Sequence, residues 1–116
     1  MDIFSRLDGK LAILNLKGDF SSGAIAEFQD VLQAIQKQGA TVILFEFSEV
    51  EILTSQAVGA IIRFSKSYGL TGGEIYFCNI PDHINEILVI LNLQSVFKSF
   101  ASEEEAIEAL KGTQSN

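Results

Sequence analysis

The chain has 116 residues, 47% of them hydrophobic and 20% charged, which gives one folded domain with a real core and no room for a second. Its net charge of −7 argues against a nucleic-acid or anionic-membrane partner, because phosphate surfaces need clustered Lys and Arg. One cysteine, Cys78, cannot close an internal disulfide, the first residues lack a signal-peptide pattern, and no apolar run reaches the roughly 20 residues that cross a bilayer, so a cytoplasmic protein without direct membrane insertion is expected.

In chain order, Ile3–Leu7 and Lys10–Leu16 read as strands, joined by Asp8-Gly9, a dipeptide suited to a hairpin turn with positive φ. Leu11, Ile13 and Leu14 break the alternation of the second strand, as burial on both faces would. Gly18-Asp-Phe-Ser-Ser-Gly23 interrupts the pattern, and a helix is expected over 24–38, with Ile25, Phe28, Val31, Leu32 and Ile35 on one stripe. Ser21 or Ser22 is available as its cap, and Gln38-Gly39 ends it.

Thr41–Phe47 is an apolar run of strand length, buried on both faces by its composition. An acidic loop, Ser48–Leu53, is expected next. Thr54 and Ser55 then open a helix over 56–68, with Val58, Ile61, Ile62 and Tyr68 on its buried stripe and Gly69 as its terminator.

Thr71-Gly-Gly73 turns the chain into a strand at Glu74–Asn79, in which Cys78 reads as a small core residue. Pro81 suits the first turn of a helix carrying Ile84, Ile87, Leu88 and Leu91. Asn92-Leu-Gln is a break, Val96–Phe100 a last strand, and Ser102-Glu-Glu-Glu105 a capping box that opens a final helix with Ile107 and Leu110 inside and Gly112 past its end. The whole is an α/β domain over 1–111, a small mixed, mostly parallel sheet of about five strands flanked by about four helices, with a polar tail at 112–116.

Chemistry is sparse. A hydrolase would pair Ser55 with His83 and an acid such as Asp82 or Glu51, but no Gly-x-Ser-x-Gly elbow surrounds the serine. The chain does not read as an enzyme. One His, one Cys and scattered carboxylates form no metal set, and Gly72-Gly73 lacks the other residues of a phosphate loop, so no cofactor is expected. Glu103–Glu105 reads as favouring the positive end of its helix. The junction at Thr54-Ser55 stands out. If Thr54 caps, Ser55 takes the first helical position with its hydroxyl towards solvent, where a phosphate suits the helix and alters only the surface. Glu49 and Glu51 place negative charge beside it, which tunes partner choice.

The sequence resembles the STAS domain family, and within it the bacterial anti-sigma factor antagonists, over residues 3–111. The residues that carry the resemblance are Leu16-Lys-Gly-Asp-Phe20, Val42–Val50, Leu53–Ile62, Gly72–Asn79 and Ile90–Phe97, in that order. The family signature Asp-Ser-Ser-Gly-Leu-Gly falls on this chain with its first serine at Ser55 and its last glycine at Gly59, while Thr54 stands for the aspartate, Gln56 for the second serine and Ala57 for the first glycine.

The resemblance implies the STAS fold and a regulatory protein that binds an anti-sigma factor or switch-type serine kinase and is controlled by phosphorylation of Ser55. It implies a binding face built from Gly18, Asp19, Phe20, Ser21, Ser22, Glu49, Glu51, Thr54, Ser55, Gln56 and Gly59. The alternatives are an unphosphorylated accessory subunit of an ABC-type lipid transporter and a STAS domain that binds a small ligand. The apolar strand near Ile3 leaves a homodimer open.

Overall fold

The computed structural model describes the backbone of residues 1–114 and the side chains of residues 1–111. Five strands form one sheet in the order β1 (Asp2–Asp8), β2 (Leu11–Phe20), β3 (Val42–Leu53), β4 (Glu74–Cys78) and β5 (Ser99–Phe100). β1 runs antiparallel to β2 through the Asp8-Gly9 turn, where Gly9 has φ +64°, and the other neighbours are parallel. The mostly parallel sheet expected from the strand–helix order is therefore present.

Four helices cover it: α1 (Ile25–Lys37), α2 (Ser55–Leu70), α3 (Asp82–Ile90) and α4 (Glu103–Gln114). The pleat divides β2 and β3 between two cores. Ala12, Leu14, Leu16, Ile43, Phe45 and Phe47 meet α1, α2 and α3 on one face. Leu11, Ile13, Val42 and Leu44 face α4 on the other, with Ala106 and Leu110 above them. The broken alternation of β2 thus has a simple cause, since both its faces are buried. Phenylalanines link the larger core from end to end: Phe20 lies 4.7 Å from Phe28, Phe28 5.5 Å from Phe45, and Phe45 5.3 Å from Phe77. Each such ring contributes about 1.5–3 kcal/mol by leaving water.

Several boundaries differ from the sequence reading. No serine caps α1: Ser22–Ala24 forms a 3-10 turn before it, and neither Ser21 nor the helix N-cap Ala24 makes a side-chain cap. α2 runs through Gly69 to Leu70. It ends where the Thr71 hydroxyl donates to the Tyr68 carbonyl at 2.7 Å and Gly72 takes φ +89°. The expected strand at Val96–Phe100 shrinks to Ser99–Phe100, because Phe97 is drawn into the larger core and ring-stacks on Phe77 at 4.6 Å. Leu91, expected on the inner stripe of α3, is exposed. At α4 the Ser102 hydroxyl accepts from the Glu105 N–H at 3.1 Å, as a capping serine should, but the helix continues through Gly112 to Gln114. Residues 115–116 of the expected tail lie outside the described residues.

The largest difference bears on function. Ser48–Leu53 is not a loop. β3 continues as strand to Leu53, and β2 continues beside it to Phe20. The register slips twice, so that Lys17 pairs with Glu49, Gly18 with Val50, Asp19 with Ile52 and Phe20 with Leu53. At each slip β3 carries one residue more than β2, which is a β-bulge. Phe47, Val50 and Leu53 consequently point into the larger core, while Ser48 with Glu49 and Glu51 with Ile52 are exposed in pairs.

Candidate functional site

The extended ends of β2 and β3 and the start of α2 meet at one place. Thr54 holds them together. Its backbone N–H donates to the Phe20 carbonyl at 3.0 Å, and its hydroxyl lies 3.5 Å from the same oxygen. The hydroxyl oxygen also accepts from the Ala57 N–H at 3.3 Å, which makes Thr54 the N-cap of α2. Its φ of −82° and ψ of 161° are the extended geometry of a capping residue.

Ser55 is the first residue of α2 and is exposed. Its hydroxyl makes no hydrogen bond with any described residue, since the cap is supplied by its neighbour. The free N–H groups of the first helical turn and the helix dipole lie beside it, and both favour negative charge. Buried Ala57 and Val58 fix this turn of the helix against the core. Gln56 is exposed, and Gly59 lies one turn further on, half-buried. A Cβ built on Gly59 would stand 3.2 Å from Arg63 Nη1, so the bare backbone there lets the Arg63 side chain lie back along the helix surface.

Asp19, Ser22, Glu49 and Glu51 are exposed around this junction, and Gly18 and Ser21 are half-buried. Lys17 pairs with Glu49 at 3.7 Å, an exposed contact worth at most about 1 kcal/mol. Gly18 has φ +100° at the second register slip, a conformation that suits glycine. Phe20 requires a correction. It is fully buried and packs on Phe28, so its side chain cannot meet a partner; it anchors the end of β2, and its carbonyl receives Thr54.

His83, the one histidine of the sequence, lies in the first turn of α3. It is exposed, but its Nε2 donates to the Glu51 carbonyl at 2.8 Å and ties the start of α3 to the bulged end of β3. Pro81 and His83 join Lys17, Ser48, Glu49, Val50 and Glu51 around an open cavity of about 530 Å³. No spacing in the sequence signals this contact, because a backbone carbonyl 32 residues away receives it.

Glu46 is the one buried carboxylate among the described residues. Its oxygens accept from the Ser48 N–H at 2.6 Å and the Ser48 hydroxyl at 2.9 Å, which braces the first bulge. Cys78 is fully buried beside it in register, and burial, with the Glu46 charge second, pushes its thiol up to about 12. No group of three His, Cys, Asp or Glu side chains among the described residues is placed to hold a metal ion, and no described helix is long and apolar enough to cross a membrane.

Fold and site together define a small α/β domain that presents a bulged strand pair and an exposed helix start as one polar surface. The chain belongs to the STAS domain family, which it matches over residues 5–106. It is 24% identical to BtrV of Bordetella bronchiseptica, named as a candidate anti-sigma factor antagonist, over 91% of this chain and 90% of that one. It is 28% identical to a Thermotoga neapolitana protein given the same description, over 71% and 73% of the two chains. Among solved structures it resembles the anti-sigma factor antagonist SpoIIAA, known unphosphorylated (TM-score 0.81, 18% identity, 96% and 97% of the two chains) and phosphorylated (TM-score 0.73, 18% identity, 94% and 99%). The chain is thus a STAS domain similar to the anti-sigma factor antagonists, with the five-stranded mixed sheet and four helices of that fold.

Proposed function

We propose that this protein is a partner-switching regulator of the anti-sigma factor antagonist kind. Unphosphorylated, it binds an anti-sigma factor that is also a serine kinase. Phosphorylation of Ser55 releases that partner, and Gly18, Asp19, Ser21, Ser22, Glu49, Glu51, Thr54, Gln56 and Gly59 surround the contact.

The observation that carries this reading is the division of labour between two adjacent hydroxyls. Thr54 caps α2, and the exposed Ser55 hydroxyl has no bond with any described residue. A phosphate on Ser55 would add a charge of about −1.5 to −2 at a helix start that tolerates it. The fold would stay intact. The surface shared with Glu49 and Glu51 would instead become strongly negative, which opposes a partner selected for the neutral serine. The relatives named as anti-sigma factor antagonists and the phosphorylated SpoIIAA structure support the same assignment.

The test is affinity capture from the native lysate with the wild-type protein, Ser55→Ala and Ser55→Asp as baits, the prey being identified by mass spectrometry. A serine kinase of the anti-sigma type should come down with the first two and not with Ser55→Asp. A transporter ATPase held equally by all three would replace the phosphoswitch with the accessory-subunit reading.

A further inference from the structure

β1 is an open edge of the sheet. It pairs with β2 on one side, and no described strand lies on the other. A row of unpaired N–H and C=O groups is a template for another strand, and proteins commonly blunt such edges. Here the edge runs for seven residues, and it exposes Phe4 by 59% and Leu7 by 40%.

We propose that β1 pairs antiparallel with β1 of a second copy, about a two-fold axis through Ser5, so that two five-stranded sheets join into one of ten strands. The sequence of β1 is self-complementary in this register. Opposed residues must share a face of the sheet, so allowed registers differ in steps of two. The axis at Ser5 alone overlaps all seven residues.

It sets Ile3 opposite Leu7 of the other copy, on the face where Ile3 already packs against the larger core. On the opposite face it sets Phe4 against Arg6 of the other copy, a ring beside a cation. Arg6 is held in place by its ion pair with Glu103. The acidic ends, Asp2 and Asp8, face each other across the copies, but Asp8 is paired with Lys111 and Asp2 stands opposite Lys17 within its own sheet. Moving the axis to Arg6 opposes two arginines and leaves Leu7 facing a serine. Moving it to Phe4 overlaps only five strand residues and sets Ile3 against serine.

Disulfide cross-linking of the full-length chain reads the register directly. Residues opposite one another in antiparallel strands have Cα atoms about 4.5–5.5 Å apart, within reach of a disulfide, whereas two copies of a residue next to the axis sit roughly 8 Å apart, beyond it. Under mild oxidation Ser5→Cys should give a covalent dimer on a non-reducing gel, and Phe4→Cys and Arg6→Cys should not. Cys78 is fully buried and does not compete. Sedimentation of the wild-type chain should show a dimer, and Leu7→Glu should weaken self-association at least tenfold while keeping the wild-type circular-dichroism spectrum. A wild-type chain that stays monomeric at high micromolar concentration, preferential cross-linking at Phe4→Cys or Arg6→Cys, or a Leu7→Glu chain that dimerises as tightly as wild type would each overturn the pairing.

Discussion

Replacing Thr54 by alanine removes the oxygen that accepts the Ala57 N–H and leaves one donor of the first turn of α2 without its cap. Such a loss costs about 1 kcal/mol, within a range of about 0.5–2. The 3.5 Å approach of the same hydroxyl to the Phe20 carbonyl is at the outer limit of a hydrogen bond and adds little. Unfolding of a 116-residue domain carries an entropy of about 0.24 kcal/mol/K, from about 2.1 cal/mol/K per residue, so the cost corresponds to a fall of about 4 °C in Tm. Ser55→Ala removes an exposed hydroxyl with no bond to any described residue and should leave Tm within about 1–2 °C of wild type, as surface changes of up to about 0.5 kcal/mol do. Ser55→Asp should be neutral or slightly stabilising, since a carboxylate at the first helical position gains about 0.3–1 kcal/mol from the dipole. Scanning calorimetry of the three variants in low-salt buffer gives the comparison. If Ser55→Ala lowered Tm as far as Thr54→Ala, the separation of cap from surface hydroxyl would be wrong, and with it the physical basis of a switch that spares the fold.

Other outcomes follow from particular contacts. A Cβ on Gly73 would stand 2.3 Å from the Tyr68 ring, which is buried, stacked on Phe64 at 5.2 Å, and bonded through its hydroxyl to the Ala40 carbonyl at 2.7 Å. Gly73→Ala should therefore destabilise by about 2–4 kcal/mol, the sum of overpacking and a weakened hydrogen bond, and urea denaturation measures it. The Cys78 thiol should resist an aromatic disulfide reagent at pH 8 in the native protein and react fully in denaturant, because it is buried and held protonated. Its folded value, near 12, lies above the ordinary 9.0, so the stabilisation it carries is complete below pH 9 and declines as pH rises from there towards 12. Cys78→Ala should flatten that alkaline decline, as seen in melting temperatures from pH 8 to 11. Glu46→Ala removes the acceptor of both Ser48 bonds and should destabilise by about 1–3 kcal/mol, again by denaturant titration.

Much of this architecture was legible in the chain because it rests on local signals. Asp8-Gly9 specifies its turn, the stripe from Phe28 to Ile35 faces the core, and Ser102 caps the helix that the capping box announces. Thr54 and Ser55 also fall where the strand-to-helix pattern places them, one capping and one exposed. The end of β3 was illegible for a physical reason. Two bulges change its buried period from two to three, at Phe47, Val50 and Leu53, and a strand with that period reads as a loop. Phe20 was misplaced because the break at Gly18 hides a continuing strand whose last residue turns inward. The terminus of α2 went to Gly69 because a glycine marks an end only when its φ is positive, and the backbone reaches that conformation at Gly72. His83 and its bond to the Glu51 carbonyl belong to tertiary structure alone.

The most direct measurement of the central claim is a titration of the purified partner kinase against this protein before and after incubation with the kinase and ATP, with the modified residue located by mass spectrometry. The account predicts one phosphate at Ser55, loss of binding in step with its appearance, a Tm that does not fall, and continued binding by Ser55→Ala under the same treatment. Phosphate on another residue, or a Ser55-phosphorylated chain that binds as tightly as the unmodified one, would contradict it.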